Sequence, residues 1–103
     1  MTSEHSLLQL YVPATLEDAV IDWLLQHQPD LIFTSTGVAG HTGQAEGLSM
    51  IEQVTGRKRQ ICFSVVVPTP QWPALQEQLK TAFARTDIRY QLIPLLGQGI
   101  FND

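Results

Sequence analysis

The chain alternates between segments with an apolar period of two residues and segments with a helical period of about 3.6. In residues 6–12, "SLLQLYV", Leu8, Leu10 and Val12 fall on one side of a period-two pattern, and Pro13 ends it. This pattern predicts a first strand with one fully apolar face. Three further segments alternate or are rich in β-branched and aromatic residues, and these predict strands at residues 30–38, 59–68 and 87–96.

Two segments carry apolar stripes at helical spacing. Residues 14–29, "ATLEDAVIDWLLQHQP", predict an amphipathic helix with Thr15 and Asp18 in cap-like positions. Residues 70–83, "PQWPALQEQLKTAF", predict a second helix with Thr69 as its N-cap and proline at the first helical position. The stripe of this second helix consists of Trp72, Leu75, Leu79, Ala82 and Phe83.

The resulting order, β-α-β, loop, β-α-β, predicts an α+β, ferredoxin-like βαββαβ fold. In that fold a four-stranded antiparallel sheet carries both helices on one face. The two halves echo each other, because each apolar strand closes on Val-Pro before its helix. A chain of 103 residues with 44% apolar content predicts a single domain spanning 1–103.

The sheet face away from the helices is predicted to mix apolar and polar residues. An exposed patch with this apolar content usually marks an interface, so we expect oligomers packed sheet to sheet. Ile100 and Phe101 near the end of the chain also favour an oligomer, because an exposed apolar pair there is stabilised when another surface buries it. The expected members of this open face are Leu7, Gln9, Tyr11, Thr34, Thr36, Val38, Cys62, Ser64, Val66, Arg89, Gln91 and Ile93.

The stretch "GVAGHTGQAEGLSMIEQVTGRKR", residues 37–59, shows neither period and predicts a long loop, of a length that is usually functional or disordered. Five of the seven glycines lie in it. Its glycine-rich turn and the run of Arg57, Lys58 and Arg59 would suit an anion such as phosphate or carboxylate. The alternative is a solvated basic run that protects the start of a strand.

The same stretch offers metal donors. His41 with Glu46 or Glu52 would suit a soft or borderline cation, and a three-fold oligomer would bring three copies together. The alternative is an exposed loop histidine that makes no special contact. No serine or cysteine has a histidine base at a known motif spacing, so we expect a protein that is not an enzyme.

Charge and cysteine content narrow the classes of function. The formal charge of −4 argues against a nucleic-acid partner, which requires an excess of cations. The single cysteine, Cys62, fits a reducing compartment. The start "MTSEHS" lacks the features of a signal peptide and no segment is long and apolar enough for membrane insertion, so a cytoplasmic protein is expected.

From Leu7 to Leu96 the sequence resembles the PII-like signalling proteins, and within them a little-characterised bacterial subgroup of nitrogen-regulatory PII-like proteins. The resemblance is carried by "VAGHTGQ" and "EQVTGRKRQICFSVVVP", and most distinctively by "GH" followed by S-x-x-E-Q-V-x-G-R. It implies a homotrimer with the sheets facing inward. It also implies that residues 37–59 correspond to the T-loop, which senses a small ligand and docks on a transporter, channel or enzyme.

In PII proteins an adenine nucleotide binds between subunits, where the T-loop meets a glycine-rich phosphate loop before the last strand. Here that turn reads "FARTDIRYQ" and contains no glycine, so the typical phosphate-binding loop is missing and the cofactor stays undefined. The family's basic residues after the last strand are missing too. The candidate residues for a small anionic ligand are Gly37, Gly40, His41, Gly43, Gln44, Arg57, Lys58, Arg59 and Arg89.

Two functions follow as hypotheses. The first is a trimeric PII-like regulator whose loop binds a small ligand and then changes its affinity for a partner protein. The alternative is a trimeric metal-binding module, akin to copper-tolerance proteins of the same fold, which rests on His41, Glu46, Glu52 and Cys62. A third hypothesis is a structural trimer whose loop contacts only a partner.

Overall fold

Four strands form one antiparallel sheet in the computed structural model, which describes residues 3–41 and 57–102. The spatial order is β2-β3-β1-β4, so the first and third strands are central. This confirms the predicted ferredoxin-like α+β fold. The elements are β1 (His5–Pro13), α1 (Glu17–His27), β2 (Phe33–His41), β3 (Arg57–Pro68), α2 (Trp72–Ala82) and β4 (Arg89–Leu95). In the part of the chain that the structure describes, no helix is long and apolar enough to cross a membrane.

The core lies between the sheet and the two helices. Alternate residues of β1 and β3 point to the same face, and that face is closed by Val20 and Leu24 of α1 and by Leu75 of α2. Phe63 of β3 is the largest fully buried side chain, with its ring centroid 6.0 Å from that of Phe33. The strand residues of the core are Leu8, Leu10, Val12, Phe63, Val65 and Val67, as the period-two pattern predicts.

The predicted threonine caps are wrong. Each Val-Pro strand end leads into a single 3-10 turn, Ala14–Leu16 before α1 and Thr69–Gln71 before α2, so the helix N-caps fall on Leu16 and Gln71. Neither cap residue makes a side-chain capping hydrogen bond. The Thr69 hydroxyl instead lies 2.8 Å from the hydroxyl of Ser6, a residue only 3% exposed. It satisfies a polar group in the core, and its place inside the 3-10 turn puts it outside the N-cap position of the helix.

The predicted loop at 37–59 is too long. β2 continues to His41 and β3 begins at Arg57, and the two pair without interruption from Gly37↔Ile61 to His41↔Arg57. Glycines and consecutive cations hide this ladder from pattern analysis, although the backbone pairs as in any strand. The connecting residues 42–56 lie outside the described residues.

The last three pairs of this ladder form a two-stranded projection, which we call the arm and define as residues 39–41 and 57–59. β1 ends where Pro13 pairs with Gln60, so no third strand of the described residues accompanies the arm. Gly37 lies two residues before the arm on β2. A Cβ added there would have no neighbour within 4 Å, and the residue does not have a left-handed φ. The backbone there does not require glycine.

We expect Leu24→Ala in α1 to lower the free energy of unfolding by about 2–5 kcal/mol, because it leaves a cavity in the core. Its neighbour is a matched control, since Leu24 is fully buried and Leu25 is 59% exposed. Leu25→Ala should change the free energy of unfolding by less than about 0.5 kcal/mol. Urea denaturation followed by circular dichroism measures both, and equal losses would contradict this placement of α1.

We expect Gly37→Ala to stabilise the protein by roughly 0.5 kcal/mol, because alanine loses less backbone entropy than glycine on entering a strand. The midpoint of thermal unfolding should rise by about 2–4 °C for a chain of this size. A fall in the midpoint would show that a close approach or a special backbone conformation at residue 37 requires glycine.

Candidate ligand site on the arm and the open sheet face

The arm gathers positive charge at one end of the sheet. Its register pairs His41 with Arg57, Gly40 with Lys58 and Ala39 with Arg59. Three consecutive cationic residues therefore lie along one short strand segment, opposite a partner strand that carries no acidic residue there. Such a segment attracts anions, since guanidinium and ammonium groups donate charge-assisted hydrogen bonds to phosphate or carboxylate.

His41 stands at the outermost described pair of the arm, and its side chain is exposed. Opposite Cα atoms of an antiparallel pair lie about 4.5–5.5 Å apart, so His41 and Arg57 share one small region. The imidazole can bind a metal ion through a ring nitrogen or hydrogen-bond to an anion. A metal ion there needs carboxylates to offset the neighbouring arginine, and the expected ones, Glu46 and Glu52, lie outside the described residues.

The described residues alone do not form a metal site. Within residues 3–41 and 57–102, no group of three or more His, Cys, Asp or Glu side chains could hold a metal ion. Cys62 is buried, pairs with Thr36 across the ladder, and therefore lies five residues along β2 from His41, about 17 Å away. The two residues do not form one site in a single chain, and Cys62 drops out of the donor set.

Arg89 lies on the open sheet face, apart from the arm. It pairs with Tyr11, and its guanidinium carbon is 5.9 Å from the centroid of the Tyr11 ring, within the range of a cation–π contact. Arg89 lies two strands across the sheet from Arg57 and five residues along it. Their Cα atoms are therefore about 19 Å apart. The backbone therefore places the two residues in different parts of the sheet. Gly43 and Gln44, the other predicted ligand residues of the loop, lie outside the described residues.

The open sheet face carries the residues expected on it. The registers place Tyr11 beside Cys62 and Arg89 in one row, and Gln9 beside Ser64 and Gln91 in the next. The third row is apolar and consists of Val66, Leu7 and Ile93, of which Ile93 is 40% exposed. The helices pack on the opposite face. We call these three residues the apolar row; it gives the uncovered face a surface suited to contact with another protein surface.

The structure also contains a feature that the sequence pattern does not signal. A cleft of about 520 Å³ lies where α2, the turn at residues 83–88 and the beginning of β4 meet. Arg85 and Asp87 in this turn adopt left-handed φ values of 64° and 59°. Thr86 fixes the turn by donating from its hydroxyl to the Phe83 carbonyl at 2.6 Å. Since neither left-handed residue is glycine, the sequence gives no indication of this conformation.

Comparison with solved structures places the chain among proteins of one fold. A crystal structure of a DUF3240 family protein from Shewanella baltica is 20% identical, with 98% of this chain and 100% of that chain covered and a TM-score of 0.78. The stable protein CutA1 from the psychrotrophic bacterium Shewanella sp. SIB1 is 12% identical, with 96% and 88% covered and a TM-score of 0.67.

The periplasmic divalent cation tolerance protein CutA from Archaeoglobus fulgidus is also similar, at 12% identity and a TM-score of 0.57. The alignment covers 93% of this chain and 87% of that one. At these identities the likeness concerns the fold. No curated protein matches the sequence.

The family comparison covers nearly the whole chain. The family described as "Protein of unknown function (DUF3240)" matches residues 2–102, which include every described strand and helix. The match therefore extends over both helices, all four strands and the arm. The chain belongs to the DUF3240 family.

Proposed function

We propose that this protein is a homotrimeric, non-catalytic module that binds a divalent metal ion at the outer end of its arm. The observation that carries the proposal is the position of His41, an exposed imidazole at the last described pair of a projection that no other strand covers. The metal ion is the ligand of this module, and no reaction is assigned to it. We propose the cytoplasm as its location, on the evidence of the single cysteine.

Assembly is supported by the apolar row on the open sheet face. Leu7 is at its centre, between Val66 and Ile93, and all three would be removed from water if sheets of neighbouring copies faced each other. A symmetric trimer repeats each arm three times around one axis. The number of available donors then triples, which matters because the described residues of one chain provide only His41.

Metal binding is supported by the chemistry of the donors and by the fold. Imidazole nitrogen and carboxylate oxygen together suit a borderline divalent ion such as zinc or copper. Glu46 and Glu52 are the carboxylates of the segment that joins the two strands of the arm. One protein of this fold, from Archaeoglobus fulgidus, is described as a divalent cation tolerance protein.

The second candidate function is the ligand-sensing regulator of PII-like, nitrogen-regulatory type. The observation in its favour is the cationic run of Arg57, Lys58 and Arg59, which in the arm lies opposite uncharged residues and His41. In this version a small anion binds the run, and residues 37–59 dock on a transporter, channel or enzyme. The two candidates differ in the sign of the ligand's charge, so a single titration series separates them.

We expect the wild-type protein to have three times the 11.5 kDa mass of the chain in size-exclusion chromatography with light scattering. Leu7→Glu should yield monomers at micromolar concentration, because it places three carboxylates in the apolar contact. Leu25→Glu is the matched control, since Leu25 is a 59% exposed leucine of α1, which packs on the opposite face of the sheet, and it should leave the trimer intact. A monomeric wild-type protein would overturn the assembly proposed here.

We expect Cu²⁺ or Zn²⁺ to bind untagged protein in isothermal titration calorimetry, and His41→Ala to weaken that binding by about tenfold or more. His27→Ala is the control, because His27 is an exposed histidine at the end of α1, far from the arm in sequence. Parallel titrations use ATP, 2-oxoglutarate and inorganic phosphate. Binding of an anion alone, lost in Arg57→Gln, would reject the metal module in favour of the regulator.

A further inference from the structure

The cleft beside α2 has an apolar interior and a charged mouth. Its floor contains Leu10 and Val20, which are 3% and 0% exposed. Its walls are the half-buried side chains of Trp72, Leu79 and Phe83. Apolar floor and walls in a cleft of about 520 Å³ favour an apolar occupant, since such an occupant releases water from the surfaces of both.

Tyr90 forms the side of the cleft next to the sheet edge. Its ring centroid lies 5.4 Å from that of Trp72, and the Gln76 side-chain amide donates to its hydroxyl at 3.0 Å. The hydrogen bond and the ring contact hold this wall against α2. On the other side the turn at residues 83–88 is fixed by the Thr86 hydrogen bond, so both walls are formed before any occupant enters.

The segment that follows β4 exposes large apolar side chains. Leu96 is 104% exposed, Ile100 is 82% exposed and Phe101 is 109% exposed. Scattered apolar residues on a surface are ordinary, but three within six residues at full exposure are not. We call residues 96–102 the tail. Its apolar side chains are of the kind that an apolar cleft binds.

The tail does not fill the cleft of its own chain. It leaves the sheet after Leu95, whereas the cleft borders Tyr90 at the other end of β4, and five residues of strand correspond to about 17 Å. The described tail residues are exposed along their length, which also excludes such a contact within the described structure. The complementary surfaces are therefore available to different copies of the chain.

We propose that the tail of one copy docks in the cleft of the neighbouring copy, with Ile100 and Phe101 entering its apolar interior. The mouth of the cleft carries Lys80 and Arg85 against one acidic residue, Asp87, so it has a net positive charge. Asp103, which follows the tail in the sequence, carries the opposite charge. The occupant is thus a second copy of this chain, and the cleft is an assembly site.

The contact is heterologous, because the donor surface and the acceptor surface are different parts of the chain. Heterologous contacts generate closed rings when the rotation closes, and a trimer is one such ring. The inference deepens the proposed function, since it rests on the homo-oligomer and adds a second contact between the same neighbours. The open sheet face would bring the copies together, and each tail would join one copy to the next.

The test uses crosslinking between two versions of the full chain, both carrying Cys62→Ala so that no other thiol is present. One version carries Ala84→Cys, at an exposed residue that lines the cleft, and the other carries Phe101→Cys. The two are mixed, allowed to exchange subunits, and treated with a short bismaleimide. Ala74→Cys replaces Ala84→Cys in the control, because Ala74 is an exposed alanine of the neighbouring helix α2 that does not line the cleft.

We expect a mixed crosslinked product with Ala84→Cys and at least tenfold less with Ala74→Cys. Ala84→Trp, which blocks the cleft, should expose the tail to limited proteolysis, whereas Ala74→Trp should not.

An intact oligomer without the Ala84→Cys product overturns the docking of the tail and leaves the proposed function standing. A wild-type protein that is monomeric by light scattering overturns both. A third version carries both Ala84→Cys and Phe101→Cys. Crosslinks that form only within single chains of this version would overturn docking between copies.

Discussion

The pairing of β1 with β3 at the centre of the sheet is the interaction on which the rest of the structure depends. Leu8, Leu10 and Val12 from one strand and Phe63 and Val65 from the other form a continuous apolar surface, which both helices cover. Covering one face with both available helices leaves the other face open. The apolar row on that open face is therefore a consequence of the fold, since both described helices lie on the other face.

The position of the candidate ligand site on the arm results from the difference in length between these two central strands. β3 has twelve residues and β1 has nine, so the end of β3 continues past β1 with only β2 beside it. This excess creates the arm and moves His41 and the cationic run away from the core.

Sequence periodicity predicted the fold because each central strand alternates strictly and each helix carries one apolar stripe. The same method failed at the arm, where Gly37, Gly40 and the run from Arg57 to Arg59 mask a regular ladder. It also failed at Thr69, whose hydroxyl bonds to Ser6, 63 residues away in the sequence. The cleft was not predictable for a related reason, since its lining comes from β1, both helices, a turn and β4. Contacts between distant segments leave no local pattern.

The arm also has a mechanical consequence. Two-stranded ribbons twist more strongly than strands held on both sides, where neighbouring strands rotate by roughly 20–25° relative to each other. Beyond the pair Pro13↔Gln60 no third strand resists this rotation. Each strand of the arm therefore has one paired neighbour among the described residues, an arrangement that favours a larger twist. A ligand that bridges the two strands there would fix the angle between them.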